Sequence, residues 1–364
     1  MMRWPGRLMP NHSRQPLLYV LHSSKLHGTE RVALDTAQGL ADEFEPILFG
    51  PPGPAMDEAE KLGFQAYRFV GAKQFAKSLR PCLARYRSVT FVATGVMHSA
   101  VCLALNLLYR RRIRHFHIVH GGSSDLHSYG RKKWLNHAGV RFLAVSDWTK
   151  QKLISYGTRE DLIDVVPNSI PADRVASFPK RPRYDAPGVR QAIVVCRLDP
   201  MKRVGLLLDA LDCGPEELGE ISFTIHGSGG EADALKRRAA ASHSNVHFAG
   251  FSGDVPARMA QADLLVHPCP QEPFGLVILE AMAANLAVLA ADAAGPGAII
   301  QEGINGFKFR PEDAGHLAQR LLELRRAPAE AFNAVVAAGR QTVGESYSSQ
   351  KMLETYRSLF RPLP

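Results

Sequence analysis

Long apolar runs are missing from this chain: the longest candidate, VCLALNLLY at 101–109, falls well short of the roughly 20 residues a bilayer-spanning helix needs. Cysteine is scarce. Five are present, at 82, 102, 196, 213 and 269, an odd number with no CxxC spacing, which argues against a disulfide or zinc framework and leaves them as small core hydrophobes. The opening MMRWPGRLMPNHSRQ has no apolar run behind its basic residues, so no signal peptide is read there; residues 1–16 are expected to be a loose tail and the protein cytoplasmic. No helix-turn-helix, RRM or zinc-finger pattern accompanies the positive charge, which speaks against nucleic acid as a partner.

What is present is ordinary globular composition, 46% hydrophobic and 22% charged, over 364 residues, a length that suits two cores better than one. The net charge of +9 is uneven. Residues 1–185 hold 27 Lys and Arg against 15 Asp and Glu, while the remainder holds 17 against 20. An anionic surface or acceptor would meet the first half.

A β-then-helix rhythm runs through that half: LLYVLH at 17–22 precedes a turn and a helical pattern at Val32, Leu34, Ala37 and Leu40, and PILFG, SVTFVATG, HFHIVHG and FLAVSDW repeat the unit. The segment 171–192 concentrates four prolines without apolar period and reads as a linker. After it the rhythm restarts with AIVVCR, ISFTIHG, VHFAGF, DLLVHP, LAVLAA and GFKF. Two doubly wound parallel α/β domains follow, with boundaries expected at 17–180 and 181–345. The last segment, 346–364, contains an amphipathic helix with Met352, Leu353, Tyr356 and Leu359 on one face, expected to pack back towards the N-terminal domain.

The sharpest local signal is PCPQEPFGLVILEAMA at 268–283, where Glu272 and Glu280 are separated by seven residues across a Pro-Phe-Gly turn before a helix. Ionised carboxylates accept strong hydrogen bonds from vicinal hydroxyls, and backbone N–H groups of Phe274, Gly275 and Leu276 at a helix start can hold hydroxyl or phosphate oxygens. Upstream, VVCRLDPMKRVGLLLDAL puts Arg197 at a strand end and Lys202 in the following loop. Fixed cations there suit an anionic leaving group. HGSGGEADAL places Gly227 and Gly229 between strand and helix, where bare backbone can approach an anion or simply make a tight turn. In the first half, His120 ends a strand before Gly121-Gly122, and Gly28 and Thr29 sit in the loop after the first strand.

The paired-glutamate segment and the Arg-Leu-x-x-x-Lys loop resemble glycosyltransferase family 4 and its group 1 relatives, over most of 17–361. The resemblance implies a GT-B fold, two Rossmann-like domains facing across a cleft, and a retaining hexosyltransferase using a UDP- or GDP-sugar donor. It implies that Glu272 contacts the transferred sugar, Glu280 the ribose, Arg197 and Lys202 the departing diphosphate, and His120 the donor sugar. Thr29 stands where a second glycine is common in the family. No Asp-x-Asp stands at a strand end in the second half, so no metal or separate cofactor is expected.

The acceptor expected is a glycan or lipid-linked molecule of bacterial envelope polysaccharide or lipopolysaccharide assembly. RRRIRHFH at 110–117 beside the apolar 101–109 run is compatible with peripheral contact with an anionic membrane on the inner face of the plasma membrane, and equally with a solvated helix end. The rival readings are a nucleotide-sugar epimerase of the same fold and a non-catalytic sugar-nucleotide-binding protein. A glycosidase fits less well, because both glutamates lie on one local segment instead of flanking a bond from separate elements.

Overall fold

The computed structural model describes residues 14–122 and 128–361. The chain divides into two compact units, residues 1–168 with 350–364, and residues 169–349. Each is built on one sheet in which every pairing is parallel.

The first unit's strands are β1 (Gln15–Val20), β2 (Phe44–Gly50), β3 (Gln65–Arg68), β4 (Ser88–Ala93), β5 (Arg112–Val119), β6 (Val140–Ala144) and β7 (Ile163–Val165). Their spatial order is β3-β2-β1-β4-β5-β6-β7. The strand interiors carry near-continuous buried runs such as Leu17 to Leu21 and Val89 to Ala93, as expected of parallel strands covered on both faces. The second unit repeats the winding with β8 (Gln191–Val195), β9 (Ser222–His226), β10 (Val246–Gly250), β11 (Leu264–His267), β12 (Ala287–Ala291) and β13 (Phe307–Phe309), ordered β10-β9-β8-β11-β12-β13. Both orders are the Rossmann order. Each therefore reverses direction beside its first strand, between β1 and β4 in one unit and β8 and β11 in the other, and open α/β sheets bind ligands at the carboxyl ends of the strands flanking that reversal.

Several sequence expectations shift. β1 begins at Gln15, inside the segment expected as tail, and residues 1–13 lie outside the described residues. The division falls between Asn168 and Ser169, ahead of the segment expected as linker. That segment is strapped to the second unit: Arg181 donates to the Ala262 carbonyl (2.8 Å) and pairs with Asp263 (2.6 Å), while the Tyr184 hydroxyl donates to the Asp263 carbonyl (2.7 Å). The Tyr184 ring stacks on Phe332. Prolines here shape a fixed strap in place of a loose connection.

The closing helix runs Ser349–Phe360. Its buried seam is Met352, Tyr356 and Phe360, so Phe360 stands where Leu359 was expected. Phe360 lies 4.8 Å from Phe116 and 6.1 Å from Phe44, ring centre to centre. Arg357 and Arg361 flank the seam and both pair with Glu43. All five cysteines are free thiols, and Cys213, expected in the core, is exposed at the end of the helix Gly205–Cys213.

Candidate active site

The second sheet's reversal brings together the loops after β8 and β11. Lys202 ends a short 3₁₀ turn, Pro200–Lys202, whose first turn is closed by the Lys202 N–H donating to the Asp199 carbonyl at 2.9 Å. Glu272 sits in the turn ahead of the helix Leu276–Ala283. The two meet. Lys202 Nζ donates to Glu272 Oε2 at 2.5 Å, with the side chains only 13% and 12% exposed. Burial pushes the Glu272 carboxyl up, but the Lys202 ammonium, and His267 after it, outweigh that and hold it well below the usual carboxylate range. Burial likewise lowers the Lys202 ammonium, and the Glu272 charge reverses the effect and raises it. Both groups are therefore ionised at neutral pH.

The turn that carries Glu272 is fixed through its backbone. Gly275 begins the helix at φ +98°, a left-handed conformation glycine adopts without strain. The Gly295 N–H donates to the Glu272 carbonyl at 2.9 Å, and a Cβ on Gly295 would stand 2.5 Å from the Phe274 backbone. Phe274 itself is buried, its ring edge-on to Tyr347. Glu280 lies on the less buried side of the helix with Leu276 and Val277.

Arg197 follows β8 but is held differently. It pairs with Asp199 at 2.9 Å and its side chain is 46% exposed. The glycine loop after β9 is explained by packing: a Cβ on Gly227 would stand 1.8 Å from the Cys196 carbonyl, and one on Gly229 2.3 Å from the Leu198 carbonyl. The Gly227 N–H is already given to the Gly250 carbonyl (2.8 Å), and Leu198 and Ser228 join through a backbone bond of 2.9 Å. Two loops are thus zipped together beneath Arg197.

Two further residues complete this corner, and the sequence reading missed both. His267 ends β11, 2% exposed, with Nε2 3.3 Å from the same Glu272 oxygen but in no hydrogen bond. The Cys269 thiol donates to the Met201 carbonyl at 3.1 Å. His267, Cys269 and Glu272 bring one donor atom each to within 4.8 Å of one another. The H-x-C-x-x-E spacing off a strand end was the available signal.

In the first unit, Gly28 opens the helix Gly28–Gly39 beside the β1/β4 reversal. Thr29 donates its hydroxyl to Glu30 at 2.8 Å, and the Ser23 N–H donates to the other Glu30 oxygen at 3.1 Å. Glu30 is buried, so the hydroxyl found where glycine is common satisfies a carboxylate. His120 is the first residue beyond β5, one strand away from the reversal. The basic stretch is split. Arg111 donates to the Leu83 carbonyl and Arg114 to the Leu359 carbonyl, whereas Arg110 and Arg112 are exposed beside Leu107 (78% exposed) and Leu108 (76%). No helix among the described residues is long and apolar enough to cross a membrane.

Comparison with known proteins bears on the family and the fold. The Glycosyltransferase Family 4 model matches residues 26–174 and the glycosyl transferases group 1 model residues 180–342. The phosphatidyl-myo-inositol mannosyltransferase of Mycobacterium leprae is 30% identical over 189 residues, 50% of this chain and 49% of that protein. The poly(ribitol-phosphate) alpha-N-acetylglucosaminyltransferase of Staphylococcus aureus is 26% identical over 174 residues, 46% of this chain and 34% of that protein. The chain thus spans half or less of the length of the first of these curated relatives. The Anabaena protein HepE, solved in complex with UDP and glucose, superposes with a TM-score of 0.79 at 21% identity, covering 95% of this chain and 99% of that one, a likeness of fold. With one model matching each half in sequence, and two Rossmann-like units beneath them, the chain belongs to the family 4 and group 1 glycosyltransferases of GT-B type.

Proposed function

We propose that this chain transfers a hexose from a nucleotide-sugar donor, a UDP- or GDP-sugar, to a glycan or lipid-linked acceptor, with retention of anomeric configuration and without a metal at the diphosphate. The observation that carries the reading is the buried Lys202–Glu272 pair at the second sheet's reversal. As the sugar–phosphate bond breaks, negative charge grows on the diphosphate; Lys202 keeps two N–H donors beyond the one given to Glu272 and stabilises that charge without reorganising. Arg197 adds a forked cation from the rim. Glu272, held ionised, accepts from hydroxyls of the transferred sugar, Glu280 from ribose, and His120 contacts the sugar. The acceptor hydroxyl attacks on the face the leaving group departs from and its proton goes to the diphosphate, so no protein nucleophile is required.

Lys202→Ala should lower turnover about 10²–10³-fold at saturating donor, as for loss of one preorganised charge-stabilising group. Unchanged turnover refutes the assignment. EDTA should leave activity intact, and loss that magnesium restores would give the cation role to a metal. Product analysis with a panel of UDP- and GDP-sugars separates transfer from epimerisation, and stabilisation by donor with no turnover would indicate a binding protein.

The acceptor reading is a lipid-linked or envelope glycan, supported by the names of the curated relatives and by the exposed Leu107, Leu108, Arg110 and Arg112, close in sequence where a helix ends and β5 begins. Such a cationic and apolar patch suits an anionic lipid surface. Leu107→Ser with Leu108→Ser should reduce cosedimentation with anionic vesicles several-fold. Binding by the unaltered protein that is indifferent to anionic lipid and to salt would remove membrane docking from the reading.

A further inference from the structure

Lys202 does more than neutralise Glu272: its ammonium sits where three donors of a different chemistry also converge. His267 Nε2 is buried, lacks a hydrogen bond and stands 3.3 Å from Glu272 Oε2, the oxygen that Lys202 Nζ also touches. Cys269, fully buried, adds a sulfur, and the three ligand atoms lie within 4.8 Å of one another. Imidazole, thiolate and carboxylate together make a borderline-soft donor set. Tetrahedral zinc holds its ligand atoms roughly 3.2–3.8 Å apart, so closing this triangle needs shifts of about 1 Å.

We propose that His267, Cys269 and Glu272 form a binding site for one soft divalent cation, zinc foremost, which displaces the Lys202 ammonium from Glu272. Bonds form from the metal to His267 Nε2, Cys269 Sγ and a Glu272 oxygen. The thiol proton leaves to solvent, the Lys202–Glu272 contact breaks, and Lys202 keeps its proton. Nothing is oxidised or reduced. The consequence for activity rests on the function proposed above: with Glu272 taken by metal, its hydrogen bonds to the transferred sugar are lost, so zinc inhibits. Metal binding itself is independent of that function.

The test uses the full chain, stripped with chelator and titrated with Co²⁺ in the absence of substrate. One equivalent should produce a near-ultraviolet sulfur-to-cobalt charge-transfer band that Zn²⁺ bleaches by competition. Cys269→Ser should abolish the band, whereas Cys213→Ser, which alters the exposed thiol on another helix, should leave it. Lys202→Met removes the competing cation and should tighten Co²⁺ binding at least tenfold. Folding of each variant is checked by its near-ultraviolet circular dichroism, and the tightening in Lys202→Met does not depend on Cys269→Ser folding. Absence of the band in the unaltered protein, its survival in Cys269→Ser, or equal affinity in Lys202→Met overturns the proposal. A band as expected in a protein that turns over no donor would sink the transferase reading alone, and transfer without a band would sink this site alone.

Discussion

At Gly227 there is room for a hydrogen and nothing larger, since the Cys196 carbonyl occupies the place a methyl would take. Gly227→Ala should therefore cost more than about 2 kcal/mol, through a backbone clash that no rotamer relieves; denaturant unfolding that shows under 0.5 kcal/mol would contradict this. The sequence displayed the glycines but not their cause, because a phosphate loop and a close loop-to-loop approach need the same residue. Glu272 and Lys202 were legible as a pair of loop residues, and each was assigned to a different part of the donor. That they hold each other was not legible, because the contact spans 70 positions. Removing one partner alone leaves a buried charge uncompensated, so Glu272→Gln and Lys202→Met should each lose stability, and the double variant should lose less than their sum. A cycle that sums to zero coupling would show the pair to be merely adjacent.

Elements were read well where strands are interior and apolar, as at β1, β4, β8 and β11. Two were missed. β3, QAYR at the sheet's edge, has no buried residue, and β7 is three residues long; neither carries enough apolar contrast to stand out from a loop. The strap at 171–192 misled for the opposite reason, because proline content reports backbone restriction and says nothing about what the segment rests on. The closing helix was read as amphipathic, and its buried seam keeps Met352 and Tyr356 from that reading, leaves Leu353 and Leu359 half-buried and adds Phe360. Phe360→Ala should cost about 3–5 kcal/mol, the usual loss for a buried aromatic, and more than Leu359→Ala, which trims a half-buried side chain. Equal losses in the two variants would place the seam where the periodicity first put it.

For the molecule as a whole, the loss of stability just below neutral pH is concentrated in the first unit's buried histidines. Burial pushes His98 down to about 4 and His115 to about 3. His117 is also driven well down, first by burial and then by the Lys132 charge. Ser99 Oγ bridges His117 Nδ1 (2.9 Å) and His115 Nε2 (3.0 Å), and His22 and the rings of Phe69 and Phe75 complete the surroundings of His98. These histidines stay neutral when folded and take up protons near pH 6.5 when unfolded. Their contribution is thus complete above about pH 6.5 and falls as pH drops towards 4, by roughly 1.4 kcal/mol per pH unit for each. The unfolding midpoint should drop between pH 7 and pH 5, with a shallower slope in His98→Leu; a flat profile would mean the cluster is hydrated.

The helix Ser349–Phe360 belongs to the unit built by residues 1–168, although the other unit lies between them in the chain. During translation the first 168 residues must therefore wait, with the greasy seat around Phe44 and Phe116 uncovered, until some 180 further residues have emerged. A fragment made from the first 168 residues alone would inherit that exposed seat, and grafting 349–361 onto it is the direct way to obtain it as a freestanding body.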